Sequence, residues 1–113
     1  MASPNVVTLT TENWEKEVLQ AGMPVLVDFW AAWCAPCRAL SPLIDKIAND
    51  FAGKVKVAKL NTEDAPEIAA KYRITAIPQL MIFKGSEEPF ERPAPGGKSE
   101  AELVKMLHRA LES

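Results

Sequence analysis

Apolar and polar residues alternate along this chain in two rhythms, and the changes of rhythm mark its elements. Val6 to Leu9 reads as a short strand. Thr11 is placed to cap a helix running to about Ala21, with Trp14 and Val18 spaced i,i+4 on its inward face. Pro24-Val25-Leu26-Val27-Asp28-Phe29-Trp30 is then almost continuously apolar over a strand's length, the pattern of a parallel strand covered on both faces. From near Cys34 to about Phe51 the period becomes helical, and Leu40, Leu43, Ile44, Ile47 and Phe51 form one stripe. Pro36 falls in the first turn of that helix, where a missing N–H costs little, whereas Pro42 is interior and predicts a kink.

Val55 to Leu60 predicts another strand, after which Asp64-Ala65-Pro66-Glu67 has the spacing of a capping box opening a short helix. Gln79 to Lys84 and Glu88 to Arg92 predict a hairpin around Gly85-Ser86, with Pro89 making the second segment an edge strand. The charges of Glu87, Glu88, Glu91 and Arg92 would discourage further strand addition there. Ser99-Glu100-Ala101-Glu102 caps a final amphipathic helix through Leu103, Leu107 and Leu111. The order β-α-β-α-β-α-β-β-α predicts an α/β fold with right-handed βαβ units and helices on both faces of the sheet. The closing hairpin makes that sheet mixed.

Composition narrows the function. A length of 113 residues suits a single domain spanning 1–113 and not two. Thirteen basic against fifteen acidic residues give a net charge of −2, without the basic face that a nucleic-acid partner requires. Asp28 interrupts the best apolar run well before the roughly 18 residues of a membrane span, so no membrane association is expected. Met1-Ala2-Ser3-Pro4-Asn5 has neither a basic nor an apolar leader region, which predicts a cytoplasmic protein. Only two cysteines are present, Cys34 and Cys37, too few for a disulfide-built scaffold.

Those two cysteines carry the candidate chemistry. Structural zinc needs four ligands, and the chain offers two thiolates and one distant imidazole, His108, on a different predicted helix. His108 reads as a helix C-terminal residue whose partial positive charge is welcome there. Covalent haem attachment needs His after the second cysteine, where this chain has Arg38. A purely stapling disulfide closes so small a loop that it constrains the unfolded chain weakly. Reversible dithiol–disulfide chemistry fits better: residues i and i+3 opening a helix lie within bridging distance, and the helix N-terminus favours a thiolate at Cys34. Cys37, one turn inside, is expected to be the more shielded sulfur.

Trp33-Cys34-Ala35-Pro36-Cys37-Arg38, preceded by Val27-Asp28-Phe29-Trp30-Ala31, resembles the active-site segment of the thioredoxin family. The association of Cys-x-x-Cys and a βαβ pattern with redox chemistry is itself drawn from this family, so the motif identifies rather than derives it. The resemblance continues through Val57-Ala58-Lys59-Leu60-Asn61, Tyr72-Arg73-Ile74, Ala76-Ile77-Pro78 and Phe83-Lys84, covering nearly the whole chain. It implies a thioredoxin fold, with a central mixed five-stranded sheet flanked by four helices. The implied activity is general protein-disulfide reduction, with disulfide-containing proteins as substrates, a thioredoxin reductase as partner, a monomeric state, and no metal or organic cofactor. An oxidant or isomerase of the same fold, or a non-catalytic docking module, are the alternative readings.

The resemblance also implies roles for single residues: Cys34 as nucleophile and Cys37 as resolving thiol. A carboxylate such as Asp28 in an apolar run either reaches an accessible end or is buried with a raised pKa; the family implies burial and proton transfer with Cys37. Lys59 shares strand phase with Val55 and Val57 and reads by itself as a snorkelling lysine, whereas the family implies that it tunes Asp28. Pro78 is implied to follow a cis bond, and Ile77 to offer its backbone to an extended substrate. Trp33, beside the cysteine, is expected to be partly exposed, and Trp30 mainly structural. Ala35, Pro36 and Ala94 complete the implied docking surface. The chain departs from the family's common residues at Ala35 (Gly), Arg38 (Lys) and Gln79 (Thr), and Arg92-Pro93-Ala94-Pro95-Gly96-Gly97 replaces a Val-Gly-Ala stretch. These departures remove no reactive group and bear on partner preference and redox potential.

Overall fold

Four segments rich in β-branched and large apolar residues pair into one sheet: β1 (Val6–Leu9), β2 (Val25–Trp30), β3 (Lys56–Asn61) and β4 (Gln79–Phe83). The computed structural model describes residues 3–113; Met1 and Ala2, where the reading for a leader begins, lie outside the described residues. The strand order is β1-β3-β2-β4, with β3 parallel to both β1 and β2 and β4 antiparallel to β2. Three α-helices, α1 (Ala35–Asp50), α2 (Pro66–Lys71) and α3 (Glu100–Glu112), and a π-helical turn at Glu15–Leu19 cover the sheet. Among the described residues, no helix is long and apolar enough to cross a membrane.

Side-chain alternation sorts the core into two halves. On one face Val25, Val27, Phe29, Leu60, Met81 and Phe83 pack with Trp14 and Val18 of the first helical segment and with Ile68 and Tyr72. There Trp14 and Tyr72 each meet the Phe83 ring edge-on at 5.3 Å, an arrangement that adds to plain burial. On the other face Leu26, Val57, Leu80 and Ile82 pack under Leu40, Ile44 and Ile47 of α1 and Leu103, Met106 and Leu107 of α3. Asp28 shares strand phase with Leu26 and therefore points into this second half.

The sheet has four strands rather than five. Glu88 to Arg92 makes one isolated bridge, Glu91 to Ile82, in which the Ile82 N–H donates to the Glu91 carbonyl at 2.9 Å. Pro89 and Pro93, either side of it, have no N–H with which to extend a ladder. The first helix is also shorter than its pattern predicts, a single π turn closed by the Gln20 N–H on the Glu15 carbonyl at 2.9 Å. Thr11 does not cap it. The reciprocal bonds lie one residue earlier: the Asn13 N–H donates to Thr10 Oγ1 (3.1 Å) and the Thr10 N–H to Asn13 Oδ1 (2.7 Å). Asp64 likewise caps nothing, because it lies inside a turn begun by Asn61; α2 starts from Ala65 with Pro66 at its first position. Leu111 is exposed, and Met106 and Ala110 complete the inward stripe of α3 in its place.

The end of α2 delivers the chain toward the cysteines. Arg73 takes a left-handed conformation (φ 51°), while its N–H donates to Ala70 O (3.1 Å) and the Ile74 N–H to Ala69 O (3.0 Å). These are the paired bonds of a Schellman motif, formed here with arginine where glycine is commonest. They turn the chain into Ile74–Pro78 just as the helix ends.

The α3 capping box is complete, the Ser99 N–H donating to Glu102 Oε1 (2.9 Å) and the Glu102 N–H to Ser99 Oγ (3.2 Å). Ser99→Ala removes the acceptor for one orphan N–H and is expected to cost about 1 kcal/mol, lowering the thermal midpoint by about 4 °C. Thermal unfolding followed by circular dichroism checks this, and an unchanged midpoint would show that the box contributes nothing.

Candidate active site

Cys34 is the N-cap of α1. Its backbone is extended (φ −89°, ψ 105°), Pro36 occupies the first turn, and the Cys34 sulfur accepts a hydrogen bond from the Cys37 N–H at 3.2 Å. Sulfur thus does what a serine or aspartate oxygen does at most helix starts, satisfying one of the free N–H groups. Cys34 and Cys37 form a disulfide, with their Cα atoms 5.3 Å apart. Arg38 ties down the turn before it, donating from Nη1 to the Ala32 carbonyl at 2.6 Å.

The two cysteines of the disulfide are shielded almost equally, at 4% exposure for Cys34 and 3% for Cys37, so the expected greater shielding of Cys37 amounts to little in this state. The Ile77 carbonyl, 3.8 Å from the Cys34 sulfur, closes over it from the opposite loop. The Ile77–Pro78 peptide bond is cis.

Three chain segments meet around the disulfide. Trp33 is 66% exposed, with its indole N–H donating to Glu63 Oε2 at 2.9 Å. With Thr62, Ile74, Thr75, Ala76 and Ile77 it lines a groove of about 350 Å³. Ala35 and Pro36 are exposed beside it, while Pro78 is buried. Ala94 is exposed but does not line this groove. Its segment is held against the cis bond by the Gly96 N–H, which donates to the Pro78 carbonyl at 2.8 Å. Buried Gln79 adds a second tie, from Nε2 to the Pro93 carbonyl at 2.8 Å. Nothing in the sequence pattern marked Glu63, Gly96 or this use of Gln79, because each acts across long separations in the chain.

Asp28, on the β2 face it shares with Leu26, is fully buried, with neither carboxylate oxygen hydrogen-bonded to another described residue. Of the two outcomes open to an acid in this strand, burial is the one realised. Lys59 is its cross-strand neighbour in β3 and Leu80 in β4. The Lys59 ammonium donates to Ser41 Oγ at 2.9 Å and lies 5.1 Å from the centre of the Trp30 ring. His108 sits elsewhere, on α3 with its ring 6.1 Å from that of Phe51. Among the described residues, no three of the His, Cys, Asp and Glu side chains are grouped to hold a metal.

Burial pushes the Asp28 carboxyl up to about 7, with the Lys59 charge pulling the other way. An unfolded carboxyl titrates near pH 4, so between those values the native state holds a proton that the unfolded chain releases. Stability is therefore full in acid, falls as the pH rises toward 7, and levels off above it. Asp28→Asn is expected to remove that decline and to raise stability at pH 8 by about 2–4 kcal/mol. Urea unfolding of the oxidised protein at pH 5 and pH 8 tests it; a variant no more stable at pH 8 would contradict the burial of an unpaired charge.

Comparison with known proteins places these residues in a wider set. The thioredoxin family model matches residues 5–109. Thioredoxin 1 of Nostoc sp. is 50% identical over 80 residues, which cover 71% of this chain and 75% of that protein. The thioredoxin of Pyropia yezoensis is 51% identical over 83 residues, covering 74% of this chain and 78% of its own length. Chloroplastic thioredoxin M4 of Arabidopsis thaliana is 46% identical over 87 residues, 77% of this chain but 45% of that longer protein. A mixed sheet with helices on both faces, a Cys-x-x-Cys pair bridged at a helix start, and a model match over almost the full length agree: the chain belongs to the thioredoxin family.

Proposed function

We propose that this chain is a general protein-disulfide reductase whose resting oxidised form is the Cys34–Cys37 disulfide described above. The observation that carries the reading is the position of that pair, with Cys34 sulfur as the N-cap of α1 beside an exposed groove. After reduction, the free N–H groups and dipole of α1 favour the Cys34 thiolate. That thiolate attacks one sulfur of a partner's disulfide, forming a mixed disulfide and releasing the partner's other sulfur as a thiolate. Cys37 gives its proton to Asp28 and attacks Cys34 sulfur. The Cys34–Cys37 bond forms, the second partner thiolate leaves, and two electrons have passed to the partner. A thioredoxin reductase returns the pair to the dithiol.

Asp28 suits the role of proton acceptor because its carboxyl titrates near the working pH, where a base is most effective. Lys59 tunes that carboxyl through its charge. Trp33, Ala35, Pro36, Ile77 and Pro78 form the docking surface for a partner, with Ala94 beyond Pro78 on the far side of the cis bond. An extended substrate segment would pair with the Ile77 backbone, whose carbonyl already faces Cys34. The chain acts as one monomeric domain in the cytoplasm; the family match from residue 5 to residue 109 supports the single domain, and a cytosol that keeps thiols reduced suits a transient, catalytic disulfide.

Dithiothreitol-driven reduction of insulin disulfides tests the activity. Wild type is expected to accelerate it and Cys34→Ser to reduce the rate to the uncatalysed level; a wild type no faster than the variant sinks the reductase reading. Cys37→Ser separates the two thiols. It is expected to accumulate a covalent complex with a disulfide substrate, visible on a non-reducing gel and dispersed by dithiothreitol, whereas Cys34→Ser is not. Equal trapping by both variants would overturn the assigned order of attack.

A further inference from the structure

Ser41 lies in the interior of α1, directly before Pro42, at a position where the sequence pattern predicts no function. Serine is a mediocre helix residue, since its hydroxyl competes for backbone bonds, so an interior serine invites a question about its partner. That partner is a charge on another layer of the fold: the Lys59 ammonium, 2.9 Å from Ser41 Oγ. The same ammonium lies 5.1 Å from the centre of the Trp30 ring, within cation–π range. Strand register sets the rest of the geometry. Asp28 and Lys59 are direct neighbours across β2 and β3, and both point to the face that α1 covers.

We propose that Ser41 is a positioning residue: its hydroxyl and the Trp30 ring hold the Lys59 ammonium beside Asp28, where it supports the carboxylate form. This rests on Asp28 serving as the proton acceptor in the function proposed above. Among the described residues, the surroundings leave Lys59 as the one counter-charge for that role. β4 presents Leu80 next to Asp28, the residues α3 buries are Leu103, Met106, Leu107 and Ala110, and α1 adds the Cys37 thiol, which is tied up while the disulfide is intact. Neither Asp28 oxygen is hydrogen-bonded to another described residue, and the Lys59 charge acts on its carboxyl, so the place where Lys59 rests matters. A lysine with a half-buried stem and no anchor extends toward water, away from the carboxylate.

The test uses the oxidised protein, in which the cysteines do not titrate and Asp28 reports alone. The side-chain carboxyl of carbon-13-labelled aspartate is followed by NMR from pH 4 to pH 10. Ser41→Ala is expected to raise the Asp28 midpoint by about half a pH unit, a roughly threefold change in its ionisation constant. Ser41→Thr, which keeps the hydroxyl, is expected to retain the wild-type midpoint. In a Lys59→Met background, Ser41→Ala is expected to add no further shift. An unmoved or lowered midpoint in Ser41→Ala overturns the proposal, as does a Thr variant that behaves like Ala or an equal shift without Lys59. Insulin reduction by the wild type decides the reductase reading separately, because this titration involves no substrate and no turnover.

Discussion

A parallel strand covered on both faces can place reactive groups in only one convenient region, beyond its C-terminal end. β2 is such a strand: Val25 to Phe29 are all buried, and its backbone is paired on both sides, with β3 and β4. Because β3 runs parallel to β2, the two strands finish at the same edge of the sheet, at Trp30 and Asn61. β4 runs the other way and so begins there, at Gln79. Three connections therefore converge on one edge: the turn leading into Cys34, the loop after Asn61 with Thr62 and Glu63, and the segment Ile74–Pro78. The contact of the Ile77 carbonyl with Cys34 and the bond from Trp33 to Glu63 both follow from that convergence.

Asp28 is the exception to the rule that β2 imposes, and it identifies the working half of the core. A carboxyl without a hydrogen bond in an apolar layer costs stability whenever it is charged. The chain keeps one within the same layer as Leu26 and Leu80, offset by the Lys59 charge. That arrangement is hard to justify as packing, because an apolar residue of similar volume would fill the site without cost. As chemistry it is economical. In the function proposed above, the cost of the charge is also what brings the carboxyl into the pH range where it would take a proton from Cys37.

Much of this was legible in the chain because the signals were local. The apolar run of β2, the stripe of α1 and the Ser99 capping box each depend on neighbours within a few residues, and each is present. The cysteine pair at a helix start is equally local. The misreadings share another character. The predicted fifth strand follows from the Gly85-Ser86 turn signal, but pairing needs N–H groups that Pro89 and Pro93 lack, and one bridge remains. Thr11 and Asp64 have capping chemistry at suitable spacing, yet Thr10 and Asn61 fix the turns first, and the helices begin elsewhere. Leu111 is apolar at helical spacing, but it lies past the end of the surface that α3 has available to cover.

By itself, the sequence determined the class of fold and the helix that begins at the cysteines, because hydrophobic period and caps act over a few residues, and its Cys-x-x-Cys motif carried the family resemblance that implies redox chemistry. The tertiary structure decided the rest. It determined that Asp28 is buried rather than exposed, that Lys59 rests on Ser41 and Trp30, that Ile77 closes over Cys34, and that Gln79 and Gly96 hold the neighbouring segment in place. Each of these depends on strand register and on which loops share an edge. Those are contacts between residues tens of positions apart, and no local pattern encodes them.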